Sequence, residues 1–152
     1  MDQTDLKILN ILQDNARITI SELGRMINMT GPAVTERVRR LEEKGVIRSY
    51  RAMLSPEKLG KAITAFVAIQ ANRCDLFTDF CRRSPDVAEI HQISGQFNFL
   101  IKVVTESMQS LDTFRQECSE YGFTQTMTVL STPFDPKGVP LDIQKAGHPD
   151  VS

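Results

Sequence analysis

Residues Thr30 to Arg51 read Thr-Gly-Pro-Ala-Val-Thr-Glu-Arg-Val-Arg-Arg-Leu-Glu-Glu-Lys-Gly-Val-Ile-Arg-Ser-Tyr-Arg. The run opens with the grammar of a helix: Thr30 is an N-cap residue type, and Pro32 falls in the first turn, where a missing N–H and a fixed φ do no harm. Val34, Val38 and Leu41 recur as one apolar stripe, and Gly45 supplies the residue that tolerates the positive φ of a helix stop. The spacing predicts a helix over about 31–44. At about 100° per residue, Pro32, Thr35, Glu36, Arg39 and Arg40 lie opposite the stripe, with Arg37 and Lys44 on a flank. Short side chains come first and arginines follow, the layout of a helix that enters a DNA major groove by its N-terminal end. Beyond Gly45, the alternation of Val46, Arg48 and Tyr50 with Ile47, Ser49 and Arg51 predicts a short basic strand, a wing over the DNA backbone. A solvated helix face would also carry cations beside Glu36, Glu42 and Glu43, so the flanking sequence has to decide.

Upstream, Leu6, Ile8, Leu9, Ile11 and Leu12 have helical spacing behind Asp2, Thr4 and Asp5, which suit a helix N-terminus, and this helix should end near Asp14. Thr19 with Glu22 three residues on has the form of a capping box, and Ile20, Leu23 and Ile27 give the next apolar face. A short turn through Asn28 and Met29 follows. Helix, helix, tight turn, helix and strand make a winged helix-turn-helix, with the second and third helices as the DNA-reading pair. A trihelical interaction module would share most of the apolar positions; what favours DNA is the cap, the small first turn, the outward arginines and the basic wing together.

The chain of 152 residues, 41% of them hydrophobic, is long enough for two small domains. Its net charge of −1 hides an asymmetry: residues 1–60 hold ten Lys/Arg against eight Asp/Glu, and residues 61–152 hold eight against eleven. No apolar run approaches the roughly 20 residues that span a bilayer, and the start Met1-Asp2-Gln3-Thr4-Asp5 is unlike a signal peptide, so no membrane partner and a cytoplasmic location are expected. Cys74, Cys81 and Cys118 lack metal-ligand spacing; Cys81 and Cys118 fall on apolar helix faces as packing thiols. No metal or other cofactor is expected.

Several motifs now stand in order and spacing across about 55 residues: Asp5-Leu6-Lys7-Ile8-Leu9, Asn15-Ala16-Arg17-Ile18, Glu22-Leu23-Gly24, Glu36-Arg37-Val38-Arg39-Arg40-Leu41-Glu42, and Gly45 to Tyr50 continuing through Ser55-Pro56-Glu57-Lys58-Leu59-Gly60. This part of the chain resembles the leucine-responsive/asparagine-regulator (Lrp/AsnC, feast/famine) family of transcription factors. The resemblance implies a DNA-binding N-terminal domain and a C-terminal domain that pairs into dimers and senses small molecules, often amino acids, near subunit interfaces.

The remaining sequence fits such a second domain. Ser55 to Gly60 reads as one helical turn with a glycine stop, a link between domains. Ala62 to Ala71 is a strand, Leu76, Phe77, Phe80 and Cys81 mark a helix, and Val87 to Ser94 and Phe97 to Val104 are two further strands. Ser107 caps a helix with the face Leu111, Phe114, Cys118 and Tyr121, and Thr124 to Phe134 alternates as a fourth strand. The expected fold class is therefore α+β: a winged helix-turn-helix over 1–60, then a ferredoxin-like β-α-β-β-α-β sandwich over 61–143, with a flexible tail over 144–152. Asp135-Pro136-Lys137-Gly138 has turn residues, which predicts a short edge strand over Val139 to Ile143. Strands two and three set Ala88 and Ile90 against Glu89 and His91, and Phe97, Phe99, Ile101 and Val103 against Asn98, Leu100 and Lys102. Both sheet faces thus carry apolar groups, and a second copy of the chain is the economical cover for the face without helices.

Four residues of a turn, Gly95, Gln96, Phe97 and Asn98, are the candidate effector site. The related turn in the family reads Gly-Asp-aromatic-Asp-aromatic-Leu; here both acids are amides, which weakens any grip on an α-amino group, and a β-turn without ligand accounts for the same residues. The DNA-binding candidates are Thr30, Pro32 and Thr35 nearest the bases, Glu36 beside them, Arg39 and Arg40 on bases or phosphates, and Arg48 and Arg51 on the backbone. Arg37 fits a structural role equally. The expected function is a sequence-specific regulator that binds double-stranded DNA as a dimer or assembly of dimers and responds to an amino acid or related molecule. Two alternatives share the layout. Some tetrapyrrole decarboxylases resemble it but call for His and Arg around a large pocket, where only His91 and His148 are available; the other is an architectural DNA-binding protein without an effector.

Overall fold

The computed structural model describes residues 1–142; the tail expected over 144–152 lies outside the described residues. Two compact units form. One holds Met1–Met53 together with the chain from Phe134, and the other holds Leu54–Pro133.

The first unit is built from α1 (Gln3–Asp14), α2 (Ile20–Ile27) and α3 (Gly31–Glu43). Asp2 and Asp5 form a reciprocal capping box at the start of α1, and Thr19 and Glu22 form another at α2, so each helix begins where its side chains satisfy orphan amides. Ile8, Leu23 and Val34, one from each helix, are shut away from water with Leu6, Leu9 and Leu41 around them. Full burial of each such aliphatic side chain contributes about 1.5–3 kcal/mol, so this small core is what holds the three helices together.

The second unit starts with a 3₁₀ turn, Glu57–Leu59, closed by Gly60. It continues β1 (Ile63–Ala71), α4 (Cys74–Arg83), β2 (Val87–Gln92), β3 (Phe99–Thr105), α5 (Met108–Ser119) and β4 (Gly122–Thr128). The strands form one sheet in the order β2-β3-β1-β4 with every neighbouring pair antiparallel. This is the expected ferredoxin-like interleaving of two β-α-β units. Val67, Ile69, Ile101 and Val103 face Phe77 and Cys81 of α4 and Leu111, Phe114 and Cys118 of α5. Phe80 stacks with Phe114 and Tyr121 at centroid distances of 5.7 and 5.2 Å, adding aromatic contacts beside this core. Leu76, one of the four apolar residues that mark α4 in the sequence, is exposed.

Four expectations are corrected. No strand forms over 46–51: the amides of Val46 and Ile47 donate back to the Leu41 carbonyl at 2.9 and 3.1 Å, and Gly45 at φ 67° donates to Glu42. The segment therefore begins as the C-terminal cap of α3 and not as a ladder. No edge strand forms over 139–142 either, because the Gln13 carboxamide takes both backbone groups of Val139: Val139 N–H donates to Oε1 at 2.6 Å, and Nε2 donates to the Val139 carbonyl at 3.2 Å. Leu141 packs against the core of the first unit, which is why residues 134–142 belong there and not to the sheet. Third, β4 stops at Thr128 and not Phe134: past the Ala65–Thr128 pair only Thr64 and Ile63 of β1 remain, and Val129 N–H donates to the Thr64 carbonyl at 2.9 Å. Fourth, the alternation in β2 is interrupted between Val87 and Glu89, where Ala88 is the extra residue of a bulge. Phe97 also departs from Phe99: it stacks on Phe123, a residue of the sheet face that carries no helix, at 6.2 Å and 11°.

That face carries Phe66, Leu100, Val104, Phe123 and Met127 around one polar row, in which Glu89 accepts from Lys102 at 3.0 Å and lies 3.3 Å from His91. Phe123 and Met127 are exposed in the single chain.

Candidate nucleic-acid interface

The geometry between α2 and α3 is fixed by three residues. Gly24 brings α2 against the turn so closely that a Cβ there would lie 2.6 Å from the Met29 carbonyl oxygen. Asn28 ends α2 at φ 56°, in the left-handed region that Asn tolerates better than most residues, and Met29 N–H donates to the Gly24 carbonyl at 2.9 Å. Thr30 stands at the N-cap of α3, its carbonyl accepting from Val34 N–H at 3.0 Å; its side chain makes no capping bond. The result is two helices joined by a tight turn, with Val34 and Leu41 buried and the opposite side of α3 in solvent.

On that solvent side, Pro32 and Thr35 are exposed in the first turns. Thr35 Oγ1 donates to the Gly31 carbonyl at 3.0 Å. Glu36 then collects the arginines. Its Oε2 accepts from Arg39 Nε and its Oε1 from Arg39 Nη2 and Arg40 Nε, each at 2.8 Å, while Arg39 Nη1 bonds Glu43. The hydrogen bonds from Arg39 first, and then Arg40, hold the Glu36 carboxyl at about 2, and the same pairing raises the Arg39 guanidinium further. These ion pairs are solvent-exposed, so they set side-chain positions more than they set stability. Arg40, with a side chain 65% exposed, bonds through neither terminal nitrogen among the described residues.

Arg37 is a structural residue. Its Nη1 donates to Asp2 and Asp5 at 2.7 Å each, tying the flank of α3 to the start of α1. Reading Asp2 and Asp5 only as caps missed this second duty; the signal was a cation on the flank of α3 and two acids at a helix start, whose proximity only tertiary packing shows.

Arg48 and Arg51 are exposed and enter no ion pair among the described residues. Between them Tyr50 donates to Glu42 at 2.9 Å, which moors this extended basic segment beside the end of α3. Partial burial, then the Glu42 bond, pushes the Tyr50 phenol up to about 12. The basic element past α3 thus persists as a tethered segment without strand pairing.

In the second unit, Gly95 adopts φ 123° and Gln96 is exposed. Asn98 carries a structural task that the sequence reading did not include. Its Oδ1 accepts from Ala71 N–H at 2.8 Å, and its Nδ2 donates to the Ala71 carbonyl at 2.9 Å, so the side chain extends the ladder beyond the end of β3 and positions the turn. Only an amide can give and accept there, which distinguishes Asn98 from an acid. Among the described residues no group of side chains could hold a metal ion, and no helix is long and apolar enough to cross a membrane.

Comparison with known proteins agrees with this geometry. Residues 1–48 match the family described as winged helix-turn-helix DNA-binding, and residues 64–139 match the Lrp/AsnC ligand binding domain. The chain is 44% identical over 132 residues to an uncharacterized HTH-type transcriptional regulator, YezC, of Bacillus subtilis, covering 87% of this chain and 95% of that one. The structure of LrpC from B. subtilis superposes with a TM-score of 0.84 at 31% identity, covering 90% of this chain and 99% of that one. A transcriptional regulator from Neisseria meningitidis in complex with L-Met superposes with a TM-score of 0.87 at 27% identity, covering 93% and 97%. With its helix-turn-helix, its sheet and its relatives all in agreement, the chain belongs to the Lrp/AsnC family, and it is a DNA-binding transcriptional regulator and not an enzyme.

Proposed function

We propose that this chain binds a near-palindromic operator in the cytoplasm as a dimer or an assembly of dimers, and that an amino acid or related small molecule adjusts its binding. The observation that carries the reading is the exposed side of α3, where Pro32 and Thr35 leave room for close approach and Arg39 and Arg40 stand one turn further on. Thr30, Pro32 and Thr35 lie nearest base edges, Glu36 sits beside them, Arg39 reaches a base, Arg40 contacts a phosphate, and Arg48 and Arg51 hold the backbone. The helix-free face of the sheet supports pairing, since Phe66, Leu100, Phe123 and Met127 gain cover from a second copy related by a two-fold axis. Two α3 helices carried by such a pair read half-sites about one helical turn apart.

The turn Gly95–Gln96–Phe97 is the effector candidate, with Asn98 as its support. The L-Met complex of the Neisseria protein supports an amino-acid class of ligand. In this chain the two amides at 96 and 98 reduce the negative charge offered to an ammonium group.

The test is selection of bound duplexes from a random pool, with and without a panel of amino acids, followed by titration of Arg39→Ala and Arg48→Ala. Arg39→Ala is expected to lower affinity for the selected site about tenfold or more while barely changing unrelated DNA. Arg48→Ala is expected to weaken all duplexes alike and to reduce the salt slope by about one. A wild-type protein that enriches no sequence refutes the reading.

A further inference from the structure

The recognition helix keeps its central arginine occupied by its own acids. Arg39 presents to Glu36 the Nε–Nη2 edge, a bidentate fork at 2.8 Å on both oxygens, and its remaining terminal nitrogen is on Glu43. That fork is the edge a guanidinium uses to take guanine O6 and N7. Any DNA contact by Arg39 through it must first displace Glu36, and what becomes of the freed carboxylate decides which contacts are favourable.

If the fork moves to a phosphate, Glu36 keeps only the Arg40 Nε bond in a groove walled by phosphates, and the exchange of one anion for another gains little. If it moves to guanine, the paired cytosine offers its N4 amino group, a donor that a carboxylate accepts. Adenine pairs one acceptor with one donor, and thymine offers one acceptor and a methyl group, so neither gives the fork two acceptors. A G·C pair is the base pair that satisfies both partners of the separated ion pair. Glu36 lies in the second turn of α3, one position past Thr35 and one turn past Pro32, so nothing bulky on the leading side keeps it from a base edge. Arg40, which among the described residues bonds only Glu36 and only through Nε, has its terminal nitrogens available for phosphate.

We propose that Glu36 is a specificity-determining residue of this regulator: it withholds the Arg39 fork from phosphates and releases it at a G·C pair, whose cytosine amino group takes the carboxylate. The proposal rests on the DNA-reading role of α3 proposed above. It assigns Glu36 a double effect, lowering affinity for unrelated DNA and raising selectivity at one base pair of each half-site.

The experiment compares full-length wild type, Glu36→Gln, Glu36→Ala and Arg39→Ala by selection from random duplexes and by titration on selected and unrelated DNA between about 50 and 200 mM salt. Wild type is expected to require a G·C pair at one position of the half-site. Both Glu36 variants are expected to lose about tenfold of the discrimination at that pair and to bind unrelated DNA several-fold more tightly. Their salt dependence is expected to steepen by about one as Arg39 gains a phosphate. Arg39→Ala should lose the same preference without the gain on unrelated DNA. If both Glu36 variants select the same pair as wild type with an unchanged salt slope, the proposal is overturned while the DNA-binding reading stands. A wild type that selects nothing overturns the reading beneath it.

Discussion

Replacing Gly24 with alanine sets two effects against each other inside α2. Alanine is the better helix former by roughly 1 kcal/mol. Against this, the added Cβ would lie 2.6 Å from the Met29 carbonyl oxygen and 3.6 Å from Val34 Cγ2. The carbonyl has nowhere to go: Met29 N–H is bonded to the Gly24 carbonyl at 2.9 Å, and Val34 is fully buried beneath the turn. Restoring an ordinary contact moves the turn by roughly 0.8 Å, and overpacking of this kind costs about 1–3 kcal/mol. The clash wins over most of that range, and the net loss is about 0–2 kcal/mol. Gly31 offers the matched control, because a Cβ there meets only Ile20 Cγ2, at an ordinary 3.8 Å, so Gly31→Ala should be neutral or stabilising by up to about 1 kcal/mol. Thermal unfolding followed by far-ultraviolet circular dichroism, which is weighted toward the helical first unit, separates the two variants. At 4–8 °C per kcal/mol for a domain of this size, their midpoints should lie about 10 °C apart, with Gly24→Ala below wild type. A Gly24→Ala protein that melts above the wild-type temperature would refute the close-approach argument.

Two further outcomes follow from the ion pairs and the ladder. Hydrogen bonding from the Asp5 amide, and then from Arg37, holds the Asp2 carboxyl below its ordinary value near 3.8, so the folded state favours the charged form. This contribution is complete above pH 4 and is lost as pH falls through the lowered folded-state value; unfolding measured from pH 6 to pH 2 should show a shallower acid loss in Asp2→Asn than in wild type. Asn98→Asp removes the Nδ2 donor and sets a negative oxygen against the Ala71 carbonyl now bonded at 2.9 Å. It should destabilise the second unit by about 1–3 kcal/mol in denaturant unfolding, and equal stability would show that the carboxamide does not extend the ladder.

What the sequence discloses here is whatever is local. Thr19 with Glu22, the stripe Val34, Val38 and Leu41, and Gly45 after α3 are decided within a turn or two of chain, and the helices begin and end close to where those residues put them. The order of strands and helices in the second unit was legible for the same reason. Two of the misreadings concern who takes a backbone amide. Val46 and Ile47 alternate like a strand, yet Leu41 claims their N–H groups; Val139 looks like an edge residue, yet a glutamine 126 positions away bonds it. That the Asn98 carboxamide bonds Ala71, 27 positions earlier, is likewise a long-range fact that no local pattern shows. Of the interface, the cations of α3 were visible in the sequence, and so were the acids three and four positions from them. That Glu36 holds two arginines at once depends on rotamers, which periodicity does not encode.

The hold of Gln13 on Val139, with Leu141 against the helical core, means that the DNA-reading half of this regulator is not one continuous stretch of polypeptide. A fragment cut after residue 60 contains all three helices yet leaves the side chains of Leu9 and Leu12 lining an open cleft where Val139 and Leu141 belong. Anyone isolating the head of the molecule for operator-binding work should add back a peptide spanning 134–142, or fuse it through a short linker. Conversely, a protease that nicks the chain after the last strand would loosen the head while sparing every residue of the sheet.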